Sequence, residues 1–475
     1  MQNTEPSMDV VESKYRDVTA VSLTSVGIHQ FLALVEQSAV KYDPRYVLKV
    51  FRELTPVRKE LDAGSLIKVV KETFPSSHPH YEYLIQVLSD FEDVEMVEED
   101  VAEAPRPEID LFIHLLVQIF LHDKQDFNRL ELFNEKCIIA LASHNERTLD
   151  HISAKMWFYI FRSKEVLKDT VSIRPALQSA LRTSTLRYDN ETRAVTITLL
   201  LRSYLLSNDI NQAYNLVEKT EFPEDVSNSV VARYYYYLAR IQTIQLDYSA
   251  AGECAITAIR KCPQTKSALG FLQAATKLNI LIQLLTGEIP ELSTFRDLSL
   301  EKSLIPYLAV TRAVRLGDLN LFSDALSKFG SALKKDDNYN LVLRLRQNVI
   351  KTGIRIISLS YKKISLKDIC IKLHLDSELS AEYIVAKAIK DGVVDATIDH
   401  KDGYMQSNEI LNIYSTKAPQ EEFDRRIKFC MSLHNDCVRA MRYPMNTNRS
   451  EVKTDVDSKE REQELLQYLQ EDDFF

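Results

Sequence analysis

The chain has 475 residues, 45 % of them apolar and 27 % charged, with a formal net charge of −9. Its length suits about three domains, and its composition excludes wholesale disorder. Glycine is scarce, 10 residues or about 2 % against a usual ~7 %, which argues against glycine-rich phosphate loops and a large β domain. It predicts a chain of helices with few tight turns and few positive-φ positions.

The six cysteines (Cys137, Cys254, Cys262, Cys370, Cys430 and Cys437) are dilute and unpaired in spacing, as expected of reduced thiols in the cytoplasm or nucleus. Residues 1–20 carry no secretory pattern. The apolar run 111–121 includes His114 and Gln118 and is too short to span a bilayer. It predicts a buried helix and no membrane partner.

Residues 1–25 are polar and expected to fray. Helical periodicity covers 28–75, with apolar runs at 28–35 and 46–54, and the segment from Phe74 through His78-Pro79-His80 breaks it. From Asp90 to Glu108 nine acidic residues face one basic residue, which predicts a solvated linker. The expected organisation is an N-terminal helical region (1–89), this linker (90–108) and a helical-repeat solenoid (109–340). A winged-helix module (341–418) and a C-terminal helix with acidic tail (419–475) follow.

Within the solenoid the layout apolar helix, acidic turn, apolar helix recurs. The turn acids Asp209, Asp247, Glu288 and Asp318 are 38, 41 and 30 residues apart, which brackets the period of tetratricopeptide-type helix pairs. In the clearest copy, 231–262, Tyr234, Tyr235, Leu238, Ile241 and Gln242 precede the turn. Ala250, Ala251, Cys254, Ala255, Ala258 and Ile259 follow it. Such pairs stack into a curved rod whose concave face binds proteins.

From Ile364 the pattern changes. Ser365-Leu366-Lys367-Asp368 reads as a capping box, with Ile369 and Leu373 as the buried stripe. A second helix over 380–391, with Ile384, Val385, Ala388 and Ile389 inward, closes at Gly392. Val394, Ala396 and Ile398 alternate, Asp402-Gly403 turns, and Tyr404-Met405-Gln406 returns as the other strand of a hairpin. Two helices and a two-stranded wing make a winged helix, leaning on a last rod helix at about 339–359. After Pro419 a helix over 421–441 repeats Phe423, Ile427, Cys430, His434, Cys437 and Met441 at intervals of 4, 3, 4, 3 and 4. That is a coiled-coil or bundle seam in need of a mate. A polar stretch (446–459), a short helix (460–469), an acidic 471–473 and Phe474-Phe475 end the chain.

No Walker A, GxGxxG, GxSxG, HExxH or CxxC motif is present. Three constellations could still carry chemistry. His78-Pro79-His80 lacks the downstream serine and aspartate spacing of a zinc hydrolase and reads as an exposed, proline-broken loop. Cys430, His434 and Cys437 share one helical face but complete the heptad seam, so no metal is assigned. Cys370 and His374, four apart, lack a visible oxyanion site. No catalytic residue, metal or cofactor is expected. The second helix and wing balance Lys387, Lys390 and Lys401 with Glu382, Asp391, Asp395, Asp399 and Asp402, too little positive charge for DNA.

A helical-repeat rod ending in a winged helix is the layout of the PCI domain, shared by the proteasome lid, the COP9 signalosome and a translation-initiation complex. The stretch 348–366, with Lys351-Thr352-Gly353-Ile354 and Ser360-Tyr361-Lys362-Lys363-Ile364, resembles the family of PCI-domain non-ATPase subunit three of the 26S proteasome regulatory particle lid. So do Ala386-Lys387-Ala388-Ile389-Lys390-Asp391-Gly392-Val393 and Asn412-Ile413-Tyr414-Ser415-Thr416. Looser similarity reaches back to about residue 109 through Gln245-Leu246-Asp247-Tyr248, so that it covers roughly three quarters of the chain. The acidic tail is shorter than in longer relatives.

The resemblance implies a non-catalytic scaffold in ubiquitin-dependent degradation. Its partners would be other PCI-type lid subunits, the lid deubiquitinase and proteasome base subunits, with neither nucleic acid nor membrane. It implies edge-to-edge packing of wings, here Val394, Ala396, Ile398, Tyr404 and Gln406. It also implies bundling of C-terminal helices through Phe423, Ile427, Cys430, His434, Cys437 and Met441. A paralogous signalosome scaffold and a winged-helix nucleic-acid-binding protein remain as alternatives.

Overall fold

The computed structural model describes residues 27–59, 61–75, 78–89, 105–223, 225–375, 377–408, 414 and 416–442. The polar start (1–25), most of the acidic stretch (90–104), Asn412, Ile413, Ser415 and the elements expected beyond residue 442 lie outside the described residues. The described residues up to 357, together with 367–393, form one compact unit; those of 358–366 and from 394 onward form a second.

The first unit is helical throughout. Helix α1 covers 27–41, followed by α2 (Arg45–Val57), α3 (Ala63–Thr73) and α4 (Tyr81–Ser89). Then come α5 (Pro107–Asp123), α6 (Phe127–Ser143), α7 (Asp150–Val166), α8 (Arg174–Arg187), α9 (Asn190–Leu206) and α10 (Ile210–Lys219). Next are α11 (Asn228–Ile244), α12 (Tyr248–Lys261), α13 (Leu269–Thr286) and the single turn α14 (Leu292–Phe295). The unit continues with α15 (Glu301–Leu316), α16 (Leu319–Lys335), α17 (Tyr339–Ser360), α18 (Leu366–Leu373) and α19 (Glu378–Lys390).

Its apolar residues form three successive clusters. The first joins α1–α4 to α5–α7, so helices on both sides of the acidic stretch share one core. The second spans α7 to α11, and the third α11 to α17. In α5 every residue from Leu111 to Leu121 is buried, His114 and Gln118 included. Gln118 Nε2 donates to Asn134 Oδ1 (2.7 Å), and Asn134 Nδ2 donates to Ser163 Oγ (2.8 Å), a chain of buried bonds that ties α5 to α6 and α7. Such groups are costly to bury unpaired, so the chain fixes the register of the three helices. Helix α13 is apolar and long enough to cross a membrane by composition. Here Leu278, Ile280, Leu281, Ile282 and Leu284 are core residues of the third cluster.

The helix pairs expected around Asp209, Asp247 and Asp318 are present. In the 231–262 pair, Ala251, Ala255 and Ala258 are buried on α12 beneath α11, small side chains that let the helices approach. Several turns share one construction. The residue closing a helix goes left-handed, the next amide returns to a carbonyl five residues back, and that next residue caps the following helix. The amides of Asp126, Asp189, Asp209 and Asp247 donate in this way to the carbonyls of Leu121, Ser184, Tyr204 and Gln242. The Asp126, Asp189 and Asp247 carboxylates then accept a backbone amide of the next helix, as Asp318 does after Gly317, whereas the Asp209 carboxylate accepts from Arg174 and Ser207 instead. This is a Schellman closure fused to an aspartate cap. Glu288 departs from the expectation. Its amide closes α13 onto Gln283, but a loop follows and no helix starts there.

The helical chain inferred from scarce glycine is present, but the expectation of few tight, positive-φ turns is corrected. Tyr42, Gln125, Lys168, Tyr188, Asn208, Leu246, Asp337 and His374 all have positive φ. The turns are tight, and residues with a Cβ carry the left-handed strain, held there by two hydrogen-bonded helix ends.

One turn does require glycine. At Gly317 (φ +68°) between α15 and α16, an added Cβ would lie 2.5 Å from the Gly353 amide nitrogen. At Gly353, inside α17, it would lie 2.6 Å from Leu373 Cδ2 of α18 and 2.8 Å from the Gly317 carbonyl. The turn between α15 and α16 thus meets α17 backbone to backbone, with the Leu373 side chain of α18 packed alongside.

In the second unit, β1 (Lys363–Ser365), β2 (Ala396–Asp399) and β3 (Tyr404–Ser407) form an antiparallel sheet in the order β1-β3-β2. Ile364 and Ile398 both sit opposite Met405, which is fully buried. The expected two-stranded wing therefore has a third strand, and Ser365, read as a helix cap, is its last residue. Helix α18 still begins directly after it. Helix α20 (Ala418–Arg442) completes the unit.

Gly353→Ala should destabilise the chain by about 2–3 kcal/mol, because backbone must move to admit the methyl group. Leu246→Asn, at an exposed left-handed position (φ +74°), should stabilise it by ~0.5–1 kcal/mol, since asparagine tolerates that conformation. Denaturant unfolding of the purified chain checks both.

Candidate functional site

Helix α20 has 25 residues, about 37 Å at 1.5 Å per residue. Every side chain from Gln420 to Cys437 is exposed. Phe423 is 65 % exposed, Ile427 56 % and Met441 75 %, and Cys430, His434 and Cys437 lie along the same seam. Phe423, Arg426, Ile427, Cys430, Met431 and His434 line a shallow, mostly apolar groove on the helix. The apolar surface is wider than the heptad pattern indicated. Met431 adjoins the seam, and Phe429 and Leu433, four residues apart, form a second exposed strip. Their own i, i+4 spacing was the available signal. The Glu422–Arg425 (2.7 Å) and Asp424–Lys428 (2.7 Å) ion pairs occupy the polar flank.

The wing is rearranged relative to expectation. Strand β3 is central, so the Tyr404 and Gln406 backbones lie between two strands and present no edge. Val394 precedes β2 and is buried. Hydrogen-bonding pairs alternate along an antiparallel ladder. The Asn408 amide donates to the Asp395 carbonyl (3.1 Å), so the odd-numbered β2 residues face β3. Ala396 and Ile398 therefore turn their backbone groups to the outer edge of the sheet.

Lys387 of α19, the second helix of the winged-helix pair, and Asp391 at its end both contact α17. Asp391 pairs with Lys351 of α17 (2.8 Å), and Lys387 Nζ reaches Gln347 (3.5 Å). The Cys370 thiol donates to the Leu375 carbonyl (3.0 Å), and His374 is an exposed residue in the left-handed cap of α18. The nucleophile pair is not assembled.

The His78-Pro79-His80 segment is a further correction: both rings are partly buried. His80 Nδ1 lies 2.9 Å from Asp110 Oδ2 at the start of α5. His114 Nδ1 lies 2.8 Å from the Asp110 carbonyl, and its Nε2 meets the Tyr83 hydroxyl. Burial pushes the Tyr83 hydroxyl far above its ordinary range, so Tyr83 keeps its proton and donates it. Asp110 and His114 are four apart on α5, but His80 and His78 lie 30 and 32 residues before Asp110, so no local pattern could join them to it.

Helical repeats followed by two short helices and an antiparallel wing define a protein of the PCI class. The family described as "PSMD3-like, N-terminal TPR repeats" matches residues 21–311, and the PCI domain matches 326–409. The family of C-terminal regions of the proteasome regulatory subunit matches 412–474. The chain is 44 % identical to the probable 26S proteasome regulatory subunit rpn3 of Schizosaccharomyces pombe, over 95 % of this chain and 92 % of that one. It is 42 % identical to the 26S proteasome regulatory subunit RPN3 of Saccharomyces cerevisiae, over 86 % and 84 %. It is 40 % identical to the probable 26S proteasome non-ATPase regulatory subunit 3 of Anopheles gambiae, over 98 % and 94 %. The chain belongs to this family of 26S proteasome non-ATPase regulatory subunits.

Cys137 is fully buried, and burial raises its thiol pKa far above the usual value, whereas Cys430 and Cys437 are exposed. In the isolated native chain, brief maleimide treatment should label Cys430 and Cys437 and spare Cys137. Peptide mass mapping reads the order, and full denaturation should make all three equivalent.

Proposed function

We propose that this chain is a non-catalytic scaffold subunit of the lid of the 19S regulatory particle, working in the cytoplasm and nucleus. It holds other PCI-type subunits, and with them the lid deubiquitinase, in place over the base. The observation that carries this reading is α20, a seven-turn helix with its apolar seam in water. Two heptads of Phe, Ile, Cys and Met side chains in solvent are unfavourable by about 25 cal/mol per Å², and burying them against like helices recovers that free energy. The outer edge of β2, with the Ala396 and Ile398 backbone groups facing outward, supplies a second surface that accepts a neighbouring strand.

The wing and α19 carry more acidic than basic residues, which leaves phosphate backbones without an electrostatic partner.

Ile427→Asp with Met441→Asp places two charges in the seam. Both positions are exposed, so circular dichroism and thermal unfolding of the isolated chain should stay as in the parent. Co-purification with lid subunits should fall at least tenfold. Normal incorporation of the folded double variant would overturn the reading.

A further inference from the structure

Three donors of metal-ligand type converge where α4 and α5 begin. One ring nitrogen from each of His78 and His80 and one carboxylate oxygen of Asp110 all lie within 4.8 Å of one another. Asp110 is 3 % exposed. Its Oδ2 is held by His80, but Oδ1, 3.2 Å from a His114 Nδ1–H aimed at the backbone carbonyl, receives no aligned donor. A buried carboxylate needs a compensating positive charge. Its ion-pair partners among the described residues are the His80 and His114 rings.

We propose that His78, His80 and Asp110 bind one Zn²⁺ ion. A tetrahedral zinc with bonds of about 2.0–2.1 Å holds its donors roughly 3.3 Å apart. His80 Nδ1 and Asp110 Oδ2 already lie 2.9 Å apart, so the ion replaces the proton between them with only slight widening. His78, whose Nδ1 now accepts the His80 amide at 3.3 Å, needs to close by roughly 1.5 Å to complete the set. Water takes the fourth position. His114 and Tyr83 form the outer layer, since the His114 ring holds the Asp110 backbone and the Tyr83 hydroxyl holds that ring. The bound ion cross-links the start of α4 to the start of α5 across the intervening acidic stretch. It thereby fastens the N-terminal helices to the stack. Histidine imidazole with one carboxylate favours zinc over magnesium or calcium, which prefer all-oxygen sites.

The test uses the full chain stripped with a chelator. It is carried out in a Cys430→Ser/Cys437→Ser background so that the exposed thiols of α20 do not compete. Calorimetric titration with Zn²⁺ should show one site per chain. Co²⁺ should give the visible spectrum of a tetrahedral nitrogen–oxygen site without thiolate charge transfer. His80→Ala and His78→Ala should each weaken Zn²⁺ at least 30-fold, in line with the 10- to 100-fold cost of losing even an outer-layer group. If His80→Ala fails to fold, His78→Ala decides, because its ring lies outside the His80–Asp110 bond. No saturable Zn²⁺ binding, or unchanged affinity in the folded His78→Ala chain, overturns the proposal.

Discussion

A helix with apolar residues around most of its circumference cannot be satisfied by one neighbour, and the inner helices of this chain are of that kind. All of α5 from Leu111 to Leu121 is buried, and in α9 the buried positions run nearly unbroken from Thr192 to Leu201. Each such helix needs a neighbour before it and another after it. Stacking follows from that requirement, and so does the succession of three cores in which α7 and α11 each serve two clusters. Aspartate-capped turns then set how closely one helix follows the next.

The same requirement explains where the stack ends. At Gly317 and Gly353 side chains are absent on both faces, and backbone meets backbone with Leu373 wedged alongside. No shorter contact between helices is available to a polypeptide. The two short helices α18 and α19 follow from this joint, and α19 is further bound through Lys351 and Asp391. The family resemblance of the 348–366 stretch thus has a physical reason at Gly353, where any larger residue collides.

Helix α20 breaks the rule that governs the rest. Its apolar residues are as regular as those inside the stack, yet they stand in solvent. Among the described residues the stack helices bury their apolar stripes and α20 leaves its own exposed, which is the surface on which the proposed assembly rests. The His78–His80–Asp110 cluster is a different departure, a charged group placed in a core where only a cation or a protonated imidazole can balance it.

Much of this was legible in the residues. Helical periodicity, the aspartates before α10, α12 and α16, the alanine face of α12 and the heptad seam of α20 are local patterns, repeating within a turn or two. Local backbone geometry reads them directly. The sequence did not disclose the strand β1, three residues long and defined only by pairing with β3 some forty residues away. It did not disclose that β3 is central, which moves the open edge to Ala396 and Ile398. Nor did it show that left-handed turns would be built without glycine, because hydrogen bonds at both helix ends outweigh a strain that propensity alone counts against them. His80 meets Asp110, and Gly317 meets Gly353, only after the stack has formed. Contacts between residues so far apart have no local signature, because packing rather than backbone propensity brings them together.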